Sequence, residues 1–224
     1  MSSTNKTILI LAAHPDDEVL GCGGIIQKYV QQGDRVVIGI VTDGSSSQYP
    51  GDEAKYKVKI EECKKANKLL GVSDVELPDF PDMKLDTVSH AELNNKINSL
   101  VEKIKPNIIH THSHFDLNLD HVAVARATDV VCRPGKVYLE KVLAYEVPSS
   151  SEWSRNNIFQ PNTFADIEKY LNQKVAALLI YKTECRDYPH PRSPEGVKIF
   201  AQYRGLQSGF NAAEAFKLII SYEK

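Results

Sequence analysis

The stretch Thr7-Ile8-Leu9-Ile10-Leu11-Ala12-Ala13-His14-Pro15-Asp16-Asp17-Glu18 decides how the rest of the chain is read. Its first half is aliphatic and bounded by polar residues, which predicts a buried strand. Its second half packs one histidine and three carboxylates into five residues. Charge that dense at the edge of a core has a solvation cost, so it calls for a role. Glu18 to Gln32 then carries Val19, Leu20, Ile25, Ile26, Tyr29 and Val30 at roughly helical spacing, and Gly33 suits a C-terminal cap.

The same strand-then-helix unit recurs. Arg35 to Thr42 predicts a second strand, and Asp43 to Gly51 a turn-rich loop. Asp52 to Leu70 predicts an amphipathic helix ending at Gly71. Asp74 to Leu77 is a short third strand and Pro78 to Asp86 an irregular link. Ser89 to Ile104 is a helix with Ser89 as N-cap and Glu92 three residues on. Pro106 to Thr111, His121 to Cys132 and Lys141 to Val147 read as strand, helix and strand. Ser149 to Asn162 is the least regular region. Beyond it, Asp166 to Lys182 and Pro194 to Gln207 read as helices, and Ala215 to Tyr222 as a last element of open type. Alternation through at least five strands predicts an α/β, Rossmann-like three-layer sandwich with a mostly parallel sheet. A C-terminal helical elaboration follows where the alternation stops.

Composition narrows the function classes. The 224 residues suit one domain, 1–224, large enough for a full core. Lys plus Arg is 27 against 29 Asp plus Glu, a balance that argues against a nucleic-acid partner. No apolar run reaches the length of a membrane span. The polar start, Met1 to Lys6, lacks an apolar signal core, so a cytoplasmic protein is expected. Cys22, Cys63, Cys132 and Cys185 form no Cys-x-x-Cys pair and read as reduced thiols.

In an open parallel sheet, ligands bind beyond the carboxyl ends of the strands, beside the switch in strand order. Strands one and four are the expected neighbours there. The loop after strand one is HPDDE; the loop after strand four is His112-Ser113-His114-Phe115-Asp116-Leu117-Asn118-Leu119-Asp120-His121. The two richest clusters of histidine and carboxylate thus fall where the fold brings loops together. Two histidines and an aspartate around a metal leave an open position for water, as in a catalytic zinc site. Acids at a helix start also favour its dipole, which explains Asp16, Asp17 and Glu18 but neither His14 nor the second loop.

Ala-His-Pro-Asp-Asp-Glu after strand one, with Asp120-His121 opening a later helix, resembles the PIG-L or LmbE-like family of zinc-dependent N-deacetylases. Further matching stretches are Thr42-Asp43-Gly44, Phe80-Pro81-Asp82, Tyr145 to Trp153, Tyr188 to Gly196, Arg204-Gly205 and Ala213 to Phe216. The resemblance implies one zinc per chain held by His14, Asp17 and His121, with Asp16 as general base. It implies hydrolysis of the acetyl group from an N-acetylglucosamine-type sugar or glycoconjugate. Asp120 suits an orienting role. Asn118 stands where many relatives have a histidine; it donates a hydrogen bond to an oxyanion but carries no proton. His112 and His114 are alternative protonators, each a structural histidine by default. Lys59, where the family often has arginine, is a substrate contact together with Asp43 and Asp82. Relatives occur as single chains and as rings, so a homo-oligomer is compatible.

His112 to Asp116 also echoes the His-x-His-x-Asp of metallo-β-lactamase-like hydrolases, but Leu117 replaces the histidine that should follow. A facial triad for non-haem iron spaces its first pair differently. Gly21 to Gly24 echoes a dinucleotide loop yet falls inside the predicted helix. A non-catalytic metal-binding relative is the rival of another class, and an intact Asp16 argues against it. Trp153 and Phe159 either stack on a sugar or pack the elaboration. Arg133 and Arg192 either meet an anionic leaving group or form surface salt bridges.

Overall fold

A computed structural model describes residues 5–77, 80–155 and 158–223. One seven-stranded sheet runs in the order β3-β2-β1-β4-β5-β7-β6. Its parallel part comprises β1 (Thr7–Ala12), β2 (Arg35–Ile40), β3 (Asp74–Glu76), β4 (Ile108–His112) and β5 (Lys141–Tyr145). The connecting helices are α1 (Asp17–Gln31), α2 (Glu53–Leu70), α3 (His90–Ile104) and α4 (Leu119–Val131). β1 and β4 are neighbours, with Ile8 opposite Ile108, so the switch in strand order lies where expected.

Side-chain alternation along β1 divides the core. Ile8, Ile10 and Ala12 pack with Leu20, Ile26 and Leu70 of α1 and α2. Leu9 and Leu11 pack on the other face with Ile97, Val101 and Val124 of α3 and α4. Period-two placement on a strand thus builds both layers from one aliphatic run. Gly21 allows α1 to lie close to β5, because a Cβ there would sit 2.2 Å from the Tyr145 ring. The Gly21 to Gly24 run lies within α1, as read.

The C-terminal elaboration contains two helices, α5 (Leu171–Leu178) and α6 (Pro194–Ser208), and two strands besides. β7 (Ala213–Ser221) pairs antiparallel with β5, and β6 (Thr163–Asp166) antiparallel with β7. The helix expected from Asp166 therefore starts later. Ile167 is fully buried and its N–H donates to the Ala212 carbonyl, which keeps the chain paired until the turn at Glu168–Tyr170. α4 begins at Leu119, capped by Asn118, so Asp120 and His121 sit inside its first turn. Within the irregular link Pro78 and Asp79, and within the polar stretch Asn156 and Asn157, lie outside the described residues, as do Met1 to Thr4. Among the described residues no helix is long and apolar enough to cross a membrane. All four cysteines are unpaired, three of them buried.

Candidate active site

The turn between β1 and α1 and the first turn of α4 bring three candidate metal-ligating groups to one point. His14, Asp17 and His121 each offer a ligand atom, and these atoms lie within 4.8 Å of one another. His14 Nδ1 is 3.1 Å and His121 Nε2 3.3 Å from Asp17 Oδ2, and the two ring nitrogens are 3.2 Å apart. Asp17 Oδ2 also accepts from the His14 N–H at 2.8 Å, which fixes the turn. Asp17 Oδ1 is buried without a hydrogen-bond partner. A convergent pair of imidazoles, one carboxylate and an unsatisfied buried oxygen are donors that fit a zinc ion.

Each of these histidines is oriented from behind. His121 Nδ1 lies 3.1 Å from Asp116 Oδ1, and Asp116 accepts from the hydroxyls of Ser150 and, at 2.5 Å, Ser151. Burial would raise the Asp116 carboxyl, but His121 and the two serines hold it down at about 2. His14 Nε2 is 3.2 Å from Asp120 Oδ2 and 3.4 Å from Asp82 Oδ1. Burial lowers both imidazoles, yet the facing carboxylates prevail, leaving His14 at about 10 and His121 at about 9. Carboxylate-backed imidazole is the usual support for a metal-ligating histidine.

His112 serves as wall. Its ring stacks on His121 at 4.0 Å between centroids, and its Nε2 accepts from the Ala13 N–H at 2.8 Å. An accepting Nε2 puts the proton on Nδ1 of a neutral ring, in line with burial pushing its pKa well down. His114 turns outward onto Asp129 at 2.6 Å.

Asp16 is 2% exposed and directly precedes Asp17. Its backbone has φ 121°, territory that L side chains rarely enter, and its N–H donates to Glu18 Oε2 at 3.1 Å. Glu18 is itself held by Tyr181 Oη at 2.5 Å and Asn67 Nδ2 at 2.9 Å. Arg192 Nη1 donates to Asp16 Oδ2 and to Glu184 Oε2, both at 3.0 Å. Burial pushes the Asp16 carboxyl upward against the pull of Arg192.

The remaining predicted site residues take distinct positions. Asp82 is buried beside His14, and its N–H donates to Ser46 Oγ at 3.0 Å. Asp43 Oδ1 accepts from the Ser45 and Ser46 amides at 2.8 and 2.7 Å. Lys59 lies inside the wall, with its ammonium on the Gly44 carbonyl and 2.5 Å from Glu184 Oε1. Asn118 Oδ1 accepts from the Asp120 N–H at 2.9 Å, while its Nδ2 faces Met83 Sδ at 3.4 Å. Phe159 is buried, whereas Trp153 is exposed and edge-on to His190 at 5.6 Å between centroids. Arg133 bonds the Val130 carbonyl.

Sequence reasoning passed over Asp116, Glu184 and the contact of Arg192 with Asp16. Asp116 stood in the quoted loop, but a helix start placed at His121 hid its reach. The Arg192 contact spans 176 residues and leaves no local signal beyond a proline-flanked polar loop.

Comparisons with known proteins place relatives beside this chain. The family model PIG-L: GlcNAc-PI de-N-acetylase matches residues 9–132, which include both loops. The uncharacterized deacetylase YaiS of Escherichia coli K12 is 33% identical over 194 residues, covering 82% of this chain and 95% of that protein. The solved structure of the N,N'-diacetylchitobiose deacetylase of Pyrococcus horikoshii superposes with a TM-score of 0.79 at 18% identity, covering 96% of this chain and 84% of that one. A 4-oxalmesaconate hydratase of Pseudomonas putida is 26% identical over 199 residues, covering 80% of this chain and 74% of that protein.

Proposed function

The chain belongs to the PIG-L de-N-acetylase family, and from that premise we propose that it is a zinc-dependent hydrolase removing the acetyl group from an N-acetylglucosamine-type sugar. The observation that carries the reading is the convergence of His14, Asp17 and His121 with a non-ligating carboxylate, Asp16, adjacent to them. Zinc held by these three side chains would acidify a bound water and polarise the acetamide carbonyl.

The rest falls to the chain itself. Arg192 holds Asp16 Oδ2, so Asp16 Oδ1 is the oxygen that accepts the proton of the attacking water. Asp16 returns that proton to the departing amine, since Asn118 has none to give. Asp116 and Asp120 hold the two imidazole rings in place. Asn118, occupied at Oδ1 by the Asp120 amide, offers Nδ2 to the acetamide oxygen. Asp43 and Asp82 accept from sugar hydroxyls. Lys59 braces the Gly44 turn beside them instead of touching substrate.

The hydratase relative supplies the rival reading, addition of water to an organic acid anion. The crowd of carboxylates around His14 disfavours it. The test is acetate release from a panel of N-acetyl sugars by protein purified without a His tag, alongside metal analysis. About one zinc per chain is expected, as a one-metal site requires. Asp16→Asn should keep the metal and lower turnover by about 10²–10⁴-fold. Near wild-type turnover in that variant, or full activity in metal-free protein, would overturn the scheme.

A further inference from the structure

We propose that the site is built for an uncharged N-acetyl glycoside and discriminates against substrates whose aglycone carries phosphate or carboxylate. The inference rests on the deacetylase reading and goes on to specify its substrate class.

The charges around the site are lopsided. Asp16, Asp43, Asp82, Asp116, Asp120 and Glu184 surround or support it, and the cations among them are Lys59 and Arg192. Both cations are already paired inside the wall. Lys59 sits 2.5 Å from Glu184 Oε1. Arg192 divides Nη1 between Asp16 and Glu184 and donates Nε to Ser149 Oγ at 2.7 Å. A divalent ion on Asp17 and two neutral histidines adds one net positive charge, which leaves the surroundings negative.

The backbone offers an anion little more. Helix N-termini at the carboxyl edge of a sheet are common anion sites. Here the chain's own side chains cap α2 and α4, and the first turn of α1, whose N-cap Asp16 makes no side-chain cap bond, carries two acids. Asp52 accepts from Ala54 and Lys55 N–H at the start of α2, both at 3.0 Å. Asn118 caps α4, and Asp116 Oδ1 accepts from the Asn118 N–H at 2.9 Å. Asp17 and Glu18 fill the first turn of α1. Lys84, two residues past Asp82, is exposed, and a solvated ammonium is weakened by water and salt. What the site does offer is acceptors, and sugar hydroxyls are donors.

Three N-acetylglucosaminides that differ only at the anomeric substituent test this: methyl, carboxymethyl and phosphate. With the zinc-loaded protein, kcat/KM for the methyl glycoside should exceed that of both anions by about tenfold or more. Raising salt from about 0.05 to about 0.5 M should narrow the gap. Glu184→Gln, which releases one carboxylate from Lys59 and Arg192, should narrow it as well, read as a ratio within the variant. Equal rates, or preference for an anion at low salt, would overturn this inference and leave the deacetylase standing. No acetate from any of the three would overturn both.

Discussion

At Asp16 the backbone is strained, the side chain is buried, and one carboxylate oxygen is already taken by a guanidinium. Strain of this kind persists only where the surroundings over-determine it. Glu18 pins the Asp16 amide and Arg192 the carboxylate, so the free oxygen has one direction in which to face. Arg192 therefore acts through Asp16. Arg192→Ala should lower kcat by up to about 100-fold, the cost of a misplaced reacting group, with KM nearly unchanged. Arg192→Lys should recover part of that loss, because it keeps the charge but not the planar fork. Steady-state kinetics on one neutral substrate separates the outcomes: a raised KM at constant kcat would place Arg192 on the substrate instead.

β4 shows how one strand serves core and site together. Ile108, His110 and His112 share a face, with His110 in the core against Phe216 and His112 against His121. His110 Nε2 lies 3.1 Å from Tyr29 Oη, and burial holds its pKa at about 3. Its folded pKa is below the unfolded value near 6.5, so the unfolded chain takes up the proton first. The stabilisation is therefore complete above pH ~6.5 and is lost as pH falls from there toward 3, at up to about 1.4 kcal/mol per pH unit. Denaturant unfolding of His110→Leu and wild type from pH 7 to 4.5 should show the shallower acid-side loss in the variant; parallel curves would refute this. Elements were legible where period and length were strong: β1, β2 and β4 as aliphatic runs, α2 and α3 as amphipathic stretches. β6 is four residues long and only partly buried, and its partner β7 lies about fifty residues on, so hydrophobic pattern alone could not reveal it. His14 and Asp17 were within reach because they follow the end of β1, and His121 through the resemblance that Asp120-His121 carries, whereas Arg192, and Glu184 beside it, meet Asp16 only through the tertiary fold.

At the scale of the molecule, the helix that carries the site is bolted to the C-terminal elaboration through charge. Glu214 of β7 accepts from the Gly24 and Ile25 amides of α1 at 2.8 and 2.7 Å. Lys174 of α5 donates to Glu214 at 2.6 Å and to the Leu20 carbonyl of α1 at 2.8 Å. Gly24 makes room for this approach, since a Cβ there would lie 2.7 Å from Ile167. Both charges are buried, so their desolvation is offset only while every partner stays in place. Glu214→Ala removes the carboxylate that pairs with Lys174 and accepts from the Gly24 and Ile25 amides, leaving the buried ammonium only the Leu20 carbonyl. Breaking a buried pair from one side costs about 3–5 kcal/mol, and that loss is expected in denaturant unfolding. Glu214→Gln should cost less, because its carboxamide oxygen still accepts from an α1 amide while the charge pairing is gone. A loss below about 1 kcal/mol for the alanine variant, the scale of an exposed ion pair, would mean that apolar packing alone joins α1 to the elaboration.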